Sequence, residues 1–313
     1  MFTISQILTT LNLSQSFSFH ARKSVCVYAT LCLLSPVTRA GFEDVTTGSG
    51  ITYVHSTSEE RIPDEAGACA VDLNQDGWTD LIFARFGDSV LALINNQDGT
   101  FRPATSELGL TAYRDIAVIA AGDLDNDGDP DLILGPSDGP RYFLLINQGN
   151  GSFSEEAVSR GADLTVSANN HHARSISLVD YDRDGYLDLY LPNEGIERNS
   201  SEDARQSALL RNRGASGPAS FENVTVATGL LQPAVGDSHL GFSSAWVDFD
   251  EDGWPDFAKV SDFGTSQLYW NNGNGTFTED TKQGGLGVDD FGMGNAVADV
   301  NGDGRLDLFV TSI

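Results

Sequence analysis

Short apolar segments recur along the chain in a fixed order, separated by two kinds of polar segment. A run of small and apolar residues, such as residues 118–122, is followed by an acidic segment of nine residues and a second apolar run. A third run then ends in Asn, and a Gly-rich turn and a segment that starts with Phe follow it, as in residues 146–153. Apolar runs bounded by turn residues are typical of β-strands, and Asn and Gly supply the positive φ angles of tight hairpins. The pattern predicts four strands per repeat.

The acidic segment occurs five times and defines the length of the repeat. Its copies begin at Asp72, Asp123, Asp180, Asp248 and Asp299, which are 51, 57, 68 and 51 residues apart. That spacing accommodates one four-stranded sheet per repeat, and such sheets arranged around an axis are the blades of a β-propeller. We therefore predict an all-β fold, a β-propeller of four-stranded blades in which helix is at most a minor element.

The two ends of the sequence bear on the number of blades. Residues 42–46 (FEDVT) match residues 221–225 (FENVT), which are predicted to form the Phe-led fourth strand of a repeat. We expect this N-terminal strand to complete the sheet that the last repeat begins and so to fasten the ring. The last repeat stops at Ile313, just after its second strand. We expect about four full blades plus a partial blade, a truncated part of a seven-bladed ring; a five-bladed ring is the alternative.

Each acidic segment places oxygen-bearing side chains at positions one, three, five and nine, with Gly at position six. Two carboxylates held ~4 Å apart repel by roughly 4 kcal/mol at an effective dielectric constant near 20, so such a group requires a cation. Hard oxygen donors select calcium. We predict up to five Ca²⁺ ions, with these side-chain ligands: Asp72, Asn74, Asp76 and Asp80; Asp123, Asp125, Asp127 and Asp131; Asp180, Asp182, Asp184 and Asp188; Asp248, Asp250, Asp252 and Asp256; Asp299, Asn301, Asp303 and Asp307.

These segments differ from the EF-hand loop in their last residues. An EF-hand loop ends in a bidentate Glu at position twelve and lies between two helices. Here the constant acid is at position nine, and an apolar run follows it at once. Each predicted metal loop therefore joins two strands. Position twelve holds Phe83, Leu134, Leu191, Lys259 and Val310.

The chain is strongly acidic, with 45 Asp and Glu against 18 Lys and Arg and a formal net charge of −27. Much of this excess is local, because the predicted metal ligands account for many of the acids. Five bound calcium ions would offset ten charges. A surface of this sign makes nucleic acid and anionic membranes poor partners.

Residues 1–40 are predicted to be a signal peptide, and residues 41–313 the propeller. Arg22 and Lys23 precede an apolar stretch at residues 25–37, and residues 38–40 (TRA) supply a small-residue cleavage site. The stretch is shorter than the ~20 residues that a bilayer requires, so we expect no membrane span after removal of the signal. The predicted location is secreted or extracellular, or the periplasm or cell surface of a bacterium. An uncleaved anchor and a start codon placed too far upstream are the alternatives.

The repeats resemble a known family. The loops and the Phe-Gly pairs at residues 86–87, 263–264 and 291–292 resemble FG-GAP/VCBS repeats, the units of the integrin α-subunit propeller. More narrowly, residues 42–60 and 292–311 are similar to the cartilage acidic protein family and its bacterial relatives with an ASPIC/UnbV module. No such module is visible in this sequence, and Asn74 and Asn301 replace Asp at position three. The resemblance implies calcium between the first two strands of each blade, with the position-seven carbonyl as a further ligand. Those carbonyls belong to Trp78, Asp129, Tyr186, Trp254 and Arg305.

We expect an adhesion or interaction module for an extracellular protein or glycan, without enzymatic activity. The sequence has no GxSxG, P-loop or HExxH motif. His171 and His172 are adjacent, and neighbours on an extended chain point to opposite faces, which disfavours a joint zinc site. The alternatives are a lectin that stacks sugars on Trp or Tyr, and a propeller-type polysaccharide-active enzyme with its site near these histidines or the insertion at residues 192–211.

Overall fold

The computed structural model describes residues 43–51, 53, 67–137, 139–164, 173–192, 207–230, 241–261, 264–287 and 291–312. The predicted signal peptide lies outside the described residues. So do His171, His172 and most of the insertion at residues 192–211.

In the described residues, four antiparallel four-stranded sheets and one two-stranded sheet follow one another along the chain. In each, strands that are consecutive in sequence are neighbours. The first sheet contains β1 (Ala68–Val71), β2 (Asp80–Phe83), β3 (Leu91–Asn95) and β4 (Phe101–Pro103). The second contains β5 (Ile116–Gly122), β6 (Asp131–Pro136), β7 (Phe143–Asn147) and β8 (Phe153–Glu155).

The third sheet contains β9 (Ser177–Val179), β10 (Asp188–Leu191), β11 (Ala208–Asn212) and β12 (Phe221–Asn223). The fourth contains β13 (Ser243–Val247), β14 (Asp256–Val260), β15 (Gln267–Asn271) and β16 (Phe277–Glu279). The fifth contains β17 (Gly292–Ala298) and β18 (Asp307–Ser312). Helical structure in the described residues is limited to α1 (Ala157–Arg160) and the 3₁₀ turns Leu110–Ala112 and Gly214–Ser216.

Neighbouring sheets meet along their first strands. Strand β5 lies between β1 and β9, and β13 lies between β9 and β17. The residues of these strands are mostly Ala, Gly, Ser and Val, whose small side chains allow the inner edges of the sheets to approach closely. The sheets are therefore successive blades, and the predicted all-β propeller of four-stranded blades is confirmed.

The apolar core lies between the blades. Blades one and two enclose a group of fully buried aliphatic side chains that includes Ile82 and Leu132. Blades three and four enclose aromatic rings, with the Phe257 centroid 4.7 Å from that of Tyr190 and 4.4 Å from that of Trp246. Burial of each large apolar side chain contributes roughly 1.5–3 kcal/mol, so the interfaces between blades stabilise the ring.

The prediction of a strand over residues 42–46 is not confirmed at the residues that are described. Residues 43–45 form no strand, and a turn begins at Val45, whose carbonyl accepts the N–H groups of Gly48 and Ser49. In the matching segment, β12 ends at Asn223 and a turn likewise begins at Val224. The sequence match therefore extends past the fourth strand into the turn that follows it.

That outer turn contacts the next blade. The Ser49 carbonyl accepts the Phe101 N–H of β4 at 2.8 Å, and the Thr228 carbonyl accepts the Phe277 N–H of β16 at 2.8 Å. In both cases the acceptor lies near the end of the turn, and the donor is the Phe that begins a fourth strand. Phe101 and Phe277 therefore each mark a backbone hydrogen bond to the preceding outer turn as well as the start of a strand.

Gly67 contacts the backbone of blade two directly, and we predict that Gly67→Ala destabilises the protein. Its N–H donates to the Ala117 carbonyl at 2.8 Å. An added Cβ would lie 2.8 Å from that oxygen and 2.9 Å from Val118 Cα, both of them backbone atoms. Overpacking of this kind costs about 1–3 kcal/mol of the free energy of unfolding, which urea denaturation measures. Gly294→Ala is the control, since its Cβ would meet only the Thr311 hydroxyl at 3.3 Å; equal losses in both variants would contradict the prediction.

Candidate metal centres

Each acidic loop connects the first and second strands of its blade, and its first Asp closes the loop. In the third loop, Asp180 Oδ2 accepts the Gly185 N–H and Oδ1 accepts the Asp184 N–H, both at 3.0 Å. The same two bonds recur in the other four loops. The Gly at position six has a φ between 85° and 96° in every copy, a conformation that would strain any side chain.

Position four of the loops also has a positive φ, which the sequence did not indicate. The angle is 60° at Gln75, 59° at Asn126, 56° at Arg183 and 64° at Glu251. A residue other than Gly in this region costs of order 1–3 kcal/mol unless its surroundings hold it there. The loops are therefore constrained on both sides of position five.

Carboxylates converge in three of the loops. One oxygen from each of three acids lies within 4.8 Å of the others in the second, third and fourth loops. The groups are formed by positions one, three and five in loops two and three, and by positions one, three and nine in loop four. Among the described residues, no three acids of loops one and five converge in this way, and Asn occupies position three in both loops. The three converging groups, of loops two, three and four in turn, are Asp123, Asp125 and Asp127; Asp180, Asp182 and Asp184; Asp248, Asp250 and Asp256.

Position three of loops two and three provides oxygens suited to a cation. Asp125 Oδ1 and Asp182 Oδ1 are buried and have no hydrogen-bond partner. Burial raises the pKa of both carboxyls, and repulsion from Asp127 and Asp184 raises them further. A buried oxygen that accepts no hydrogen bond is costly, and ligation of a cation would remove that cost.

In the first four loops the Asp at position nine is buried and organises the loop backbone. Asp188 is fully buried; its Oδ2 accepts the Tyr181 N–H at 3.1 Å and its Oδ1 accepts the Asn212 N–H at 2.8 Å. Asp80, Asp131 and Asp256 make the corresponding pairs of bonds. Burial raises the pKa of Asp131 to about 7, of Asp188 to about 8 and of Asp256 to about 6. The predicted ligand at this position thus also supports the fold.

The donor set of these loops fits calcium. Every candidate side-chain donor is an oxygen of Asp or Asn, as a hard divalent cation prefers. Three carboxylates that repel one another, with an unpartnered buried oxygen in two of the loops, match the requirement for a cation. The ligand role of the position-seven carbonyls remains a prediction.

The Asn that ends the third strand of a blade has a role that the sequence pattern does not indicate. The pattern predicts a turn residue, but the side-chain amide donates to loop carbonyls. Asn212 Nδ2 donates to the Leu187 carbonyl of its own blade at 3.1 Å and to the Leu124 carbonyl of the preceding blade at 2.8 Å. The one available signal was that Asn recurs at the end of β3, β7, β11 and β15.

Among the candidates for other kinds of site, Trp246 and Trp78 have different surroundings. Trp246 packs against Phe257 in the aromatic cluster between blades three and four. Trp78 is 45% exposed. All five histidines lie outside the described residues. Within the described part of the chain, no helix has the length and apolar character needed to cross a bilayer.

The repeats match a family model over most of the propeller. The FG-GAP-like repeat matches residues 72–134, 123–191 and 248–310, each of which begins at the first Asp of an acidic loop. These matches cover more than half of the chain, which therefore belongs to the FG-GAP repeat family of β-propellers.

Curated relatives match a shorter segment. Cartilage acidic protein 1 of Xenopus tropicalis is 35% identical over 88 residues, which is 28% of this chain and 13% of that protein. The protein of the same name from Mus musculus is 32% identical over 92 residues, 29% of this chain and 14% of that protein. The matched segment thus spans about one seventh of the length of these relatives.

Two solved structures are similar over more of the chain. An Agrocybe aegerita lectin, described as recognising non-reducing terminal N-acetylglucosamine, has a TM-score of 0.45 and 17% identity, covering 79% of this chain and 60% of its own. The Vibrio cholerae biofilm matrix protein Bap1 has a TM-score of 0.42 and 19% identity, covering 82% of this chain and 37% of its own.

Proposed function

We propose that the chain is a secreted, calcium-binding propeller that acts as an adhesion or interaction module for an extracellular protein or glycan. Up to five Ca²⁺ ions would be held by the side chains at positions one, three, five and nine and the carbonyl at position seven. When bound, the ions supply positive charge that fixes the loops between the first two strands of each blade. The proposal gives the chain no catalytic role.

The observation that carries calcium binding is the arrangement of loops two and three. Each brings three carboxylates together and leaves one buried oxygen without a partner, on Asp125 and on Asp182. An acidic turn without a metal site would place such oxygens in water. Ligand charge raises calcium affinity, so the loops with four Asp (the second, third and fourth) should bind more tightly than the first and fifth.

Calorimetric titration of chelator-treated protein with CaCl₂ tests this proposal. We expect at least three tight sites, and we expect Asp125→Asn and Asp182→Asn together to weaken two of them about tenfold or more. Asp98→Asn is the matched control, because Asp98 is an exposed acid in a hairpin turn outside the loops. Absence of calcium binding by the unmodified chain, or equal weakening by the control substitution, would refute the proposal.

The role as an interaction module is supported by the family and by the acidity of the chain. A net charge of −27 favours partners with basic surfaces, and five ions would leave the protein acidic. Binding of the purified chain to a panel of extracellular matrix proteins, with calcium and with EDTA, tests this role. We expect calcium-dependent binding to some members. Appearance in the medium of secreting cells tests the predicted export.

Glycan binding is the second candidate, and a cavity between blades three and four favours it. The cavity has a volume of about 300 Å³, and Trp254, Asn274 and Arg211 contribute to its lining. Arg211 Nε is buried there without a hydrogen-bond partner. Aromatic faces and directed polar donors are features of sugar sites. A glycan array with the unmodified chain and Trp254→Ala would separate this candidate from a protein-binding role.

A further inference from the structure

Adjacent acidic loops are joined by hydrogen bonds from their position-four side chains. Asn126 of loop two donates from Nδ2 to the Gly185 carbonyl of loop three at 2.9 Å. Arg183 of loop three donates from Nη1 to the Gly253 carbonyl of loop four at 2.8 Å, and its guanidinium lies 5.4 Å from the Trp254 ring centroid. In both cases the acceptor is the position-six Gly of the next loop.

Buried asparagines form a second set of links beneath the first. The Asn212 amide bridges Leu124 at position two of loop two and Leu187 at position eight of loop three. The Asn271 amide bridges Tyr181 at position two of loop three and Pro255 at position eight of loop four, both at 3.0 Å. Loops two, three and four are therefore connected in series at two levels.

These links act on peptide groups next to the candidate ligands. The Gly185 N–H is held by Asp180, and the N–H of the following Tyr186 is held by Asp184. The Gly185 carbonyl between them accepts from Asn126, which itself lies between Asp125 and Asp127 in sequence. An ion that orders the carboxylates of one loop therefore also orders a donor or acceptor of the next loop.

The first loop lacks equivalent links to the second. Among the described residues, Gln75 at position four makes no hydrogen bond to loop two, and the Asn147 amide donates only to Pro130 of its own blade. The fourth and fifth loops are connected by an exposed ion pair, Arg305 Nε to Glu251 Oε1 at 3.7 Å. Exposed pairs of this kind contribute little.

We propose that calcium binding at loops two, three and four is positively coupled, with Asn126, Arg183, Asn212 and Asn271 as the positioning residues that transmit the coupling. The inference rests on the proposed calcium binding. Ordering of one loop lowers the conformational entropy that the neighbouring loop must lose when it binds, so the second ion binds more tightly than the first. Thermodynamic linkage requires the effect to be reciprocal between two loops.

The test uses substitutions that preserve the positive φ of position four. Asn126→Gly with Arg183→Gly removes the exposed links, and Gln75→Gly is the matched control in the unlinked loop. Chelator-treated protein is titrated with CaCl₂ against a chromophoric chelator. We expect a Hill coefficient above one for the unmodified chain and for Gln75→Gly. The Hill coefficient of the double variant should lie closer to one, and the variant should bind calcium about fivefold or more weakly. Arg183→Lys keeps a donor and should retain the coupling.

Hydrogen exchange provides a second readout that does not depend on fitting several sites. Asp125→Asn removes a ligand charge from loop two, and the amides of loop three, residues 181–188, are then followed at subsaturating calcium. We expect faster exchange in loop three after Asp125→Asn, and faster exchange in loop two after Asp182→Asn. The amides of loop one should be unaffected by either substitution.

The outcomes separate the inference from the proposed function. If the unmodified chain binds no calcium, the proposed function fails and the coupling fails with it. If calcium binds but the double variant keeps the same Hill coefficient and affinity, and Asp125→Asn leaves hydrogen exchange in loop three unchanged, the coupling alone is overturned. An equal loss in Gln75→Gly would also overturn it, because the effect would then come from loosening any single loop.

Discussion

Removal of calcium with EDTA is expected to lower the thermal midpoint of the chain by about 15–30 °C. Each ion present at 100 times its Kd adds roughly 2.7 kcal/mol, so three tight sites contribute about 8 kcal/mol. One kcal/mol corresponds to about 2–4 °C in a domain of this size. Without calcium, the three converging carboxylates of loops two, three and four also repel one another, which loosens the connection between the first two strands of each blade.

Differential scanning calorimetry with calcium, with EDTA, and with NaCl at matched ionic strength measures this effect. The NaCl sample separates binding from simple screening of the net charge of −27. The variant with Asp125→Asn and Asp182→Asn should show a smaller difference between calcium and EDTA. A midpoint that is the same with calcium and with EDTA would mean that the loops do not hold the ions.

Asp188→Ala is expected to destabilise the chain by about 3 kcal/mol or more even in EDTA. The substitution leaves the Tyr181 and Asn212 N–H groups without their acceptor in a buried site, and each unsatisfied buried donor costs about 1–3 kcal/mol. The prediction concerns the fold and not the metal. Urea denaturation in EDTA isolates it, because no ion contributes under that condition.

Asp182→Ala is the control for Asp188→Ala, because it removes a predicted calcium ligand that accepts no backbone hydrogen bond through Oδ1. Asp182 Oδ1 makes no hydrogen bond, and its pKa is raised by burial and by repulsion from Asp184. Its removal should therefore weaken calcium binding while leaving the stability in EDTA unchanged or slightly higher. If Asp188→Ala and Asp182→Ala behaved alike in EDTA, position nine would have no structural role of its own.

The sequence predicted the features that repeat locally. The apolar runs, the Asn and Gly turns and the five spaced acidic segments identified four strands per blade and placed the loops between the first two. Each second strand begins at the position-nine Asp, as at Asp80 and Asp131. These features follow from short-range rules of backbone conformation and side-chain alternation. A single sequence was therefore sufficient to predict the strands and the loops between them.

The features that the sequence did not reveal depend on residues that are far apart along the chain. The Asn212 amide bonds the Leu124 carbonyl, 88 residues earlier, and no local pattern encodes that contact. The same holds for Gly67, whose contacts are backbone atoms of the next blade. Position nine was predicted only as a ligand, because its burial and its two backbone donors appear only once the loop is closed. The sequence also predicts strand where a turn follows residues 42–44, because the backbone bonds that close this turn are seen only in the structure.

The outer turns have a consequence for how the polypeptide folds as it is synthesised. Ser49 precedes the strand it contacts, β4, in the chain, and Thr228 likewise precedes β16. The Phe that begins the fourth strand of the first blade and of the fourth blade thus finds its acceptor already in place on the portion of the chain made before it. We expect the fourth blade to be added onto the third, using it as a template, so that nascent chains halted between these two blades should already resist protease.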